Sequence, residues 1–236
     1  MSRWSYHVPI LAYHKVGVFK GDHVPTVAAG AFERQLEWLQ RLGRQVVPLD
    51  AAVEALRPGG AKPRKALVIT FDDGYEETCT IAWPILKRFG FPATVFVTPT
   101  EVGLPGFATW QQLAAAAREG LTIGSHTMHH SYLPLVKPAD LAKELVESKR
   151  IIEERIGQPV HYLSYPIGGF TPEAQAAARA AGYRAACTTN RAVSHETRDL
   201  FAIRRIKVTD RDAHPLPLMA KTSGYYDAFR QLKQPN

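Results

Sequence analysis

Short apolar runs alternate with helical patterns along most of this chain, about seven or eight times, with brief connections between them. The runs read as strands at residues 8–14, 45–48, 66–71, 93–98, 121–125, 162–165, 184–188 and 203–208. Between them, residues 31–42 place Phe32, Leu36, Leu39 and Leu42 at helical spacing and stop at Gly43. Asp50 is expected to cap a brief helix through Leu56, and residues 76–89 to form a helix with a kink or early stop at Pro84. Residues 110–118 and 139–156 are helical up to Gly120 and Gly157, and Thr171-Pro172-Glu173 opens a helix that Gly182 closes. Strands joined by crossover helices pair in parallel, so the pattern predicts an α/β fold, a distorted (β/α) barrel of about seven parallel strands. A doubly wound open sheet is the alternative, but its glycine-rich dinucleotide turn is missing. Without repeats, low-complexity stretches or a linker, the chain is expected to be a single domain over 1–236, with 215–236 a C-terminal helical tail.

In such folds the C-terminal ends of the strands carry the chemistry. The third strand ends as Val68-Ile69-Thr70-Phe71-Asp72-Asp73-Gly74-Tyr75. Two adjacent acids face opposite ways on a regular strand, and Gly74 permits a sharp turn there. One carboxylate can then hold a metal while its neighbour stays free as a base; the plainer reading is an Asp-Asp-Gly turn that ends a strand. A later strand end reads Ile123-Gly124-Ser125-His126-Thr127-Met128-His129-His130. His126 and His130 are four apart, so one helical turn would put both imidazoles on the same side. Two imidazoles and a carboxylate form a three-ligand set suited to zinc, and also to cobalt, nickel, manganese or iron.

Thr70-Phe71-Asp72-Asp73-Gly74 together with His126-Thr127-Met128-His129-His130 resembles the motifs of the NodB-type polysaccharide deacetylases, over roughly residues 8–208. These are metal-dependent enzymes that remove N-acetyl groups from amino-sugar polymers on a distorted (β/α) barrel. The resemblance implies that Asp73, His126 and His130 hold one divalent metal, zinc by default, and that Asp72 is the general base acting on its water. It leaves His129 off the ligand face and gives Thr127 a hydrogen bond that orients the histidine turn. A third family motif, Arg-x-Pro-Tyr, is matched only on its proline by Ser164-Tyr165-Pro166-Ile167-Gly168-Gly169. Tyr165 and Ile167 are expected at the substrate, the latter through a backbone N–H that stabilises an oxyanion. The arginine that contacts the base is Ser164 here, so Arg204 or Arg205 is expected to replace it.

Two further family features, an Asp-x-x-Asp-Trp motif and a late Leu-x-His, are absent. Leu11-Ala12-Tyr13-His14-Lys15-Val16 instead resembles the opening strand of the permuted poly-N-acetylglucosamine deacetylases, which implies His14 as the general acid. The expected function is therefore N-deacetylation of an amino-sugar glycan or sugar conjugate, with release of acetate. Hydrolysis of a small amide or cyclic imide is one alternative, and a non-catalytic metal-containing glycan-binding protein another.

The net charge of +7 is read as solvated surface, because no basic block suggests a nucleic-acid arm. Cys79 and Cys187 are too few and too far apart for a disulfide framework. With no run of eighteen apolar residues and no signal-peptide pattern, the expected location is cytoplasmic, or extracytoplasmic if a leader was removed. The tail interleaves apolar Leu216, Leu218, Met219, Tyr225, Tyr226, Phe229 and Leu232 with Lys221, Arg230 and Lys233. It is expected to pack on its own barrel, peripheral membrane contact being the other reading.

Overall fold

The computed structural model describes residues 6–17, 24–61, 63–194 and 198–226. Its main sheet contains β1 (Ile10–Tyr13), β4 (Gln45–Val46), β5 (Ala66–Phe71), β6 (Thr94–Val97), β7 (Thr122–Ser125), β8 (Tyr162–Ser164), β9 (Ala185–Thr188), β10 (Ile203–Arg204) and β11 (Ile206–Lys207). The order is β10-β9-β8-β7-β6-β5-β1-β11, with β4 beside β5, and every pairing is parallel. A second, two-stranded pair joins β2 (Lys15–Val16) to β3 (Thr26–Val27). The two ends of the main path are neighbours in the chain, separated by Arg205 alone. The run read from sequence as one strand is thus bent into two halves. One half pairs with β9 and the other with β1, which brings the sheet round into a nearly closed barrel.

Alternation along the strands divides the core into two layers. Leu67, Ile69 and Phe71 of β5 pack in the cluster that includes Leu36 and Leu39 of α1 (Ala29–Arg41). Val68 faces the other way, with Ile10, Phe96, Tyr162, Cys187 and Ile203, joined by Leu49, Ala52 and Val53 of α2 (Leu49–Leu56). The same alternation puts Thr70 on the inner face and leads to Asp72 one step beyond the strand. Both cysteines are free, and burial pushes the Cys187 thiol up to about 12.

Asp50 does not cap α2. Pro48 holds the N-cap position, and the Asp50 carboxylate instead accepts from the Tyr162 hydroxyl and Arg184. At Pro84 the helix continues: a π turn over Thr78–Ala82 leads into α3 (Trp83–Phe89), which places the missing N–H of proline at the start of the α segment. The next helices are α4 (Trp110–Arg118), α5 (Pro138–Ala142), α6 (Ser148–Ile156), α7 (Pro172–Ala180) and α8 (Pro215–Thr222), a second π turn linking α5 to α6. Thr171 caps α7 through the Ala174 N–H. Leu218 of α8 is fully buried in the core cluster that includes α1, so this part of the tail packs on its own barrel, an arrangement that lends no support to membrane contact. Phe229, Arg230, Leu232 and Lys233 lie outside the described residues. Among the described residues, no helix is long and apolar enough to cross a membrane.

Candidate active site

The site gathers at the ends of β5, β7, β8 and β10, beside the end of β1. Past Phe71 the backbone turns through two left-handed residues, Asp73 (φ 71°) and Gly74 (φ 75°). Gly74 is required twice over, since a Cβ there would come within 2.9 Å of Val97 Cγ1. Asp73 adopts the same region without glycine's freedom, a strained backbone at a point where the two carboxylates take different partners, His126 and His130 for Asp73 and Arg205 for Asp72.

Asp73 Oδ1 lies 3.3 Å from His126 Nε2 and 3.3 Å from His130 Nε2. Ligand atoms held about 2.0–2.1 Å from one ion are about 3–3.4 Å apart, so the spacing suits a single metal. These three residues are also the one such group found among the described residues, their ligand atoms lying within 4.8 Å of one another. His126 Nδ1 is 2.7 Å from the Ser164 carbonyl oxygen. A carbonyl only accepts, so Nδ1 carries the hydrogen and Nε2 presents its lone pair to the site.

His126 and His130 do not meet through a helical turn, as their spacing suggested. Residues 126–130 form a loop in which Thr127 (φ 68°) and His130 (φ 54°) are left-handed. Thr127 Oγ1 accepts from the Ser131 N–H at 3.3 Å. The larger restraint is Glu144, a buried carboxylate that nothing in the sequence pattern singled out. It accepts from the backbone N–H of Met128 (3.0 Å) and His129 (3.1 Å), from His129 Nδ1 (2.8 Å) and from Ser131 Oγ (2.9 Å). His129 is therefore turned to Glu144 and away from the three-ligand group. Burial alone would raise the Glu144 carboxyl, but these bonds hold it below its ordinary value, ionised at neutral pH. Glu101, after β6, is a second residue missed from sequence. Burial raises its carboxyl, which feels the charges of His130 and Asp73.

Asp72 is 3% exposed and gripped by the residue between β10 and β11, two strands away. Arg205 Nη1 donates to Asp72 Oδ1 (2.8 Å) and Thr70 Oγ1 (3.0 Å), while Nη2 donates to Asp72 Oδ2 (2.7 Å) and Ser164 Oγ (2.7 Å). The guanidinium sits over the Phe96 ring at 5.2 Å. Burial by itself would raise the Asp72 carboxyl, but the Arg205 charge and hydrogen bonds, with His126 nearby, hold it below the usual range. The residue standing where the family motif has arginine, Ser164, thus receives the arginine that comes from β10's end instead.

Arg204 does not share this position. It points along a different wall, where Nη1 donates to the Val193 carbonyl. Tyr165 is likewise turned inward: it is 1% exposed, and its hydroxyl donates to the Phe201 carbonyl while its ring stacks on Phe170. Ile167 is the opposite, 70% exposed with a left-handed backbone (φ 58°) that a β-branched residue rarely adopts. Its turn is locked by Thr188 Oγ1, which donates to the Gly168 carbonyl. His14 follows β1, within electrostatic reach of Asp72 and Asp73. Burial lowers its imidazole more than the two carboxylates raise it, and Nδ1 has no partner among the described residues.

Comparison with known proteins agrees with this geometry. The sequence profile of the family described as polysaccharide deacetylase matches residues 59–186. The chain belongs to the polysaccharide deacetylase family. It is 30% identical over 202 residues to YxkH of Bacillus subtilis (strain 168), whose name assigns it provisionally to the polysaccharide deacetylases, spanning 86% of this chain and 71% of that one. A poly-β-1,6-N-acetyl-D-glucosamine N-deacetylase of Staphylococcus aureus (strain MRSA252) is 25% identical over 200 residues, 78% of this chain and 68% of the relative. Among solved structures, IcaB of Ammonifex degensii superposes with a TM-score of 0.81 at 25% identity, covering 93% of this chain and 98% of that one.

Proposed function

We propose that this deacetylase-family chain is a metal-dependent hydrolase that removes N-acetyl groups from an amino-sugar glycan and releases acetate. The observation that carries the reading is the separation of two adjacent carboxylates. Asp73 stands 3.3 Å from both imidazoles, while Asp72 is clasped by a guanidinium and kept ionised.

In this reading Asp73, His126 and His130 hold one divalent ion, with zinc the first choice from the ligand types. When bound, such an ion supplies Lewis-acid chemistry, polarising the acetyl oxygen and making water a better nucleophile near neutral pH. Asp72 accepts the proton of the attacking water at its carboxylate. Arg205 fixes the orientation of that carboxylate and stabilises its charge before the proton arrives. The N–H of Ile167, an exposed residue in a left-handed turn, donates to the acetyl oxygen as negative charge develops there. His14, in its protonated form, delivers a proton to the leaving amine nitrogen, and because burial lowers its imidazole this step draws on a minor form at neutral pH. An exposed hollow of about 500 Å³ beside Ile167, lined by Tyr132, Gly169 and Asn190 among others, favours an extended glycan over a small amide.

Incubating the protein with N-acetylglucosamine oligomers should release acetate, stop on chelation and resume on adding back zinc, cobalt or manganese. No acetate from any N-acetylated sugar, with metal shown to be bound, would reject the reading. Glu144 supplies a second test, because it orders the loop between two ligands without touching the ion. Glu144→Ala should weaken metal binding by about 10–100-fold, measured by calorimetric titration, with Glu144→Gln retaining part of the affinity. Unchanged affinity in Glu144→Ala would mean that the loop needs no such anchor.

A further inference from the structure

We infer that the substrate carries an oxyanion, a phosphate or a carboxylate, within about one or two sugars of the acetamide, and that Arg191 and Lys207 receive it. This rests on the deacetylase reading above and adds to it a substrate class. The hollow beside Ile167 does not end at Asn190. It shares Thr189 and Arg191 with a second hollow of about 260 Å³, so the two adjoin along one path.

The chemistry changes along that path. Near Ile167 the lining is neutral: the half-exposed Tyr132 ring lies so close over Gly169 that any side chain there would collide with it. A flat aromatic face over bare backbone suits the apolar face of a sugar ring. Past Arg191 the lining includes Arg204, Lys207 and Lys221, and no acidic side chain among the described residues. Asp212 is close, but it is buried and already accepts from Lys221 Nζ at 2.8 Å. Arg191 and Lys207 themselves are exposed. Arg205 also borders this hollow, but its guanidinium is buried and paired with Asp72, so the free charge comes from Arg191 and Lys207 while the hollow stays close to the base.

Gathering like charges in a concave wall is unfavourable until an anion enters, and the concavity strengthens the field that attracts one. Part of the +7 charge is therefore focused here rather than spread over the surface. A flat anionic membrane would be better met by a raised patch than by a hollow continuous with a neutral sugar path. For that reason the anion is assigned to the glycan.

The test uses three matched N-acetylglucosamine pentamers: one neutral, one ending in a phosphate, one ending in a uronic acid. They are offered to the full chain with zinc at several salt concentrations. At least one anionic pentamer should show kcat/KM about tenfold above the neutral one, with the gain in KM, and should lose it as salt rises from about 50 to 500 mM. Which anion wins distinguishes phosphate from carboxylate. In Arg191→Gln/Lys207→Gln the anionic-to-neutral ratio should fall to about one, while Arg191→Lys alone keeps most of the preference. Equal turnover of all three by the wild-type protein, or a preference that survives in the double variant, would overturn the inference and leave deacetylation standing. Acetate from none of them would reject the deacetylase reading and this inference with it. Sedimentation with phosphatidylglycerol vesicles that the double variant loses, without any pentamer preference, would assign the charges to a membrane and also overturn it.

Discussion

Arg205→Ala is expected to damage the fold and the reaction together. The guanidinium satisfies both oxygens of a carboxylate that is 3% exposed, and it also binds Thr70 and Ser164. Removing it leaves a charge buried without its partner, a change that costs about 3–5 kcal/mol. For a domain of this size that corresponds to a fall in melting midpoint of roughly 6–20 °C. Burial, then opposed only by the weaker pull of His126 and His14, raises the Asp72 carboxyl, so less of it is ionised and able to accept a proton. Turnover should fall by at least about 100-fold, seen as a loss of kcat with the metal retained. Arg205→Lys separates the two effects, since a point charge keeps the carboxylate ionised but cannot form the two-pronged grip. It should recover most of the stability and only part of kcat. A sharper check is the exchange Ser164→Arg/Arg205→Ser, which returns the arginine to the position that the family motif gives it. If turnover in Arg205→Ala matches the wild type, Arg205 has no part in setting the base.

Why Arg205 and not Arg204 was hidden from the sequence is a matter of one residue of register. Residues 203–208 read as a single strand, on which neighbouring arginines point to opposite faces, and nothing in the pattern says which face is the interior. The bend between β10 and β11 settles it by pairing the two halves with different strands. Elsewhere the sequence was more telling. The strand at Ala66–Phe71 and the helix at Trp110–Arg118 have the predicted limits, because an apolar run and a capping box mark them locally. The Asp73, His126 and His130 side chains stand within 4.8 Å of one another, but by a route that spacing misrepresents. A loop with two left-handed residues does the work assigned to a helical turn, and such backbone is visible only in three dimensions. Glu144 was missed for a related reason. A lone glutamate on an amphipathic helix looks like solvated surface until the loop it binds is placed beside it. Tyr165 was misjudged because a residue next to a motif proline has no periodicity to fix its side, and its ring turns into the core.

Neutralising the two neighbouring acids should give opposite phenotypes. Asp72→Asn keeps the side-chain shape beside Arg205 but removes the proton acceptor, so acetate release should drop by about 10²–10⁴-fold while metal content by elemental analysis stays at that of the wild type. Asp73→Asn replaces the atom that lies 3.3 Å from both imidazoles, and metal affinity should fall by more than the 10–100-fold typical of an outer partner such as Glu144. Excess zinc should therefore restore some turnover to Asp73→Asn and none to Asp72→Asn. Stability moves the other way. Asp72→Asn leaves Arg205 buried without its counter-charge, whereas Asp73 borders the open site, so the first should melt earlier than the second in the metal-free state. Loss of metal from Asp72→Asn, or zinc rescue of its turnover, would mean that the two carboxylates share the ion instead of dividing the labour.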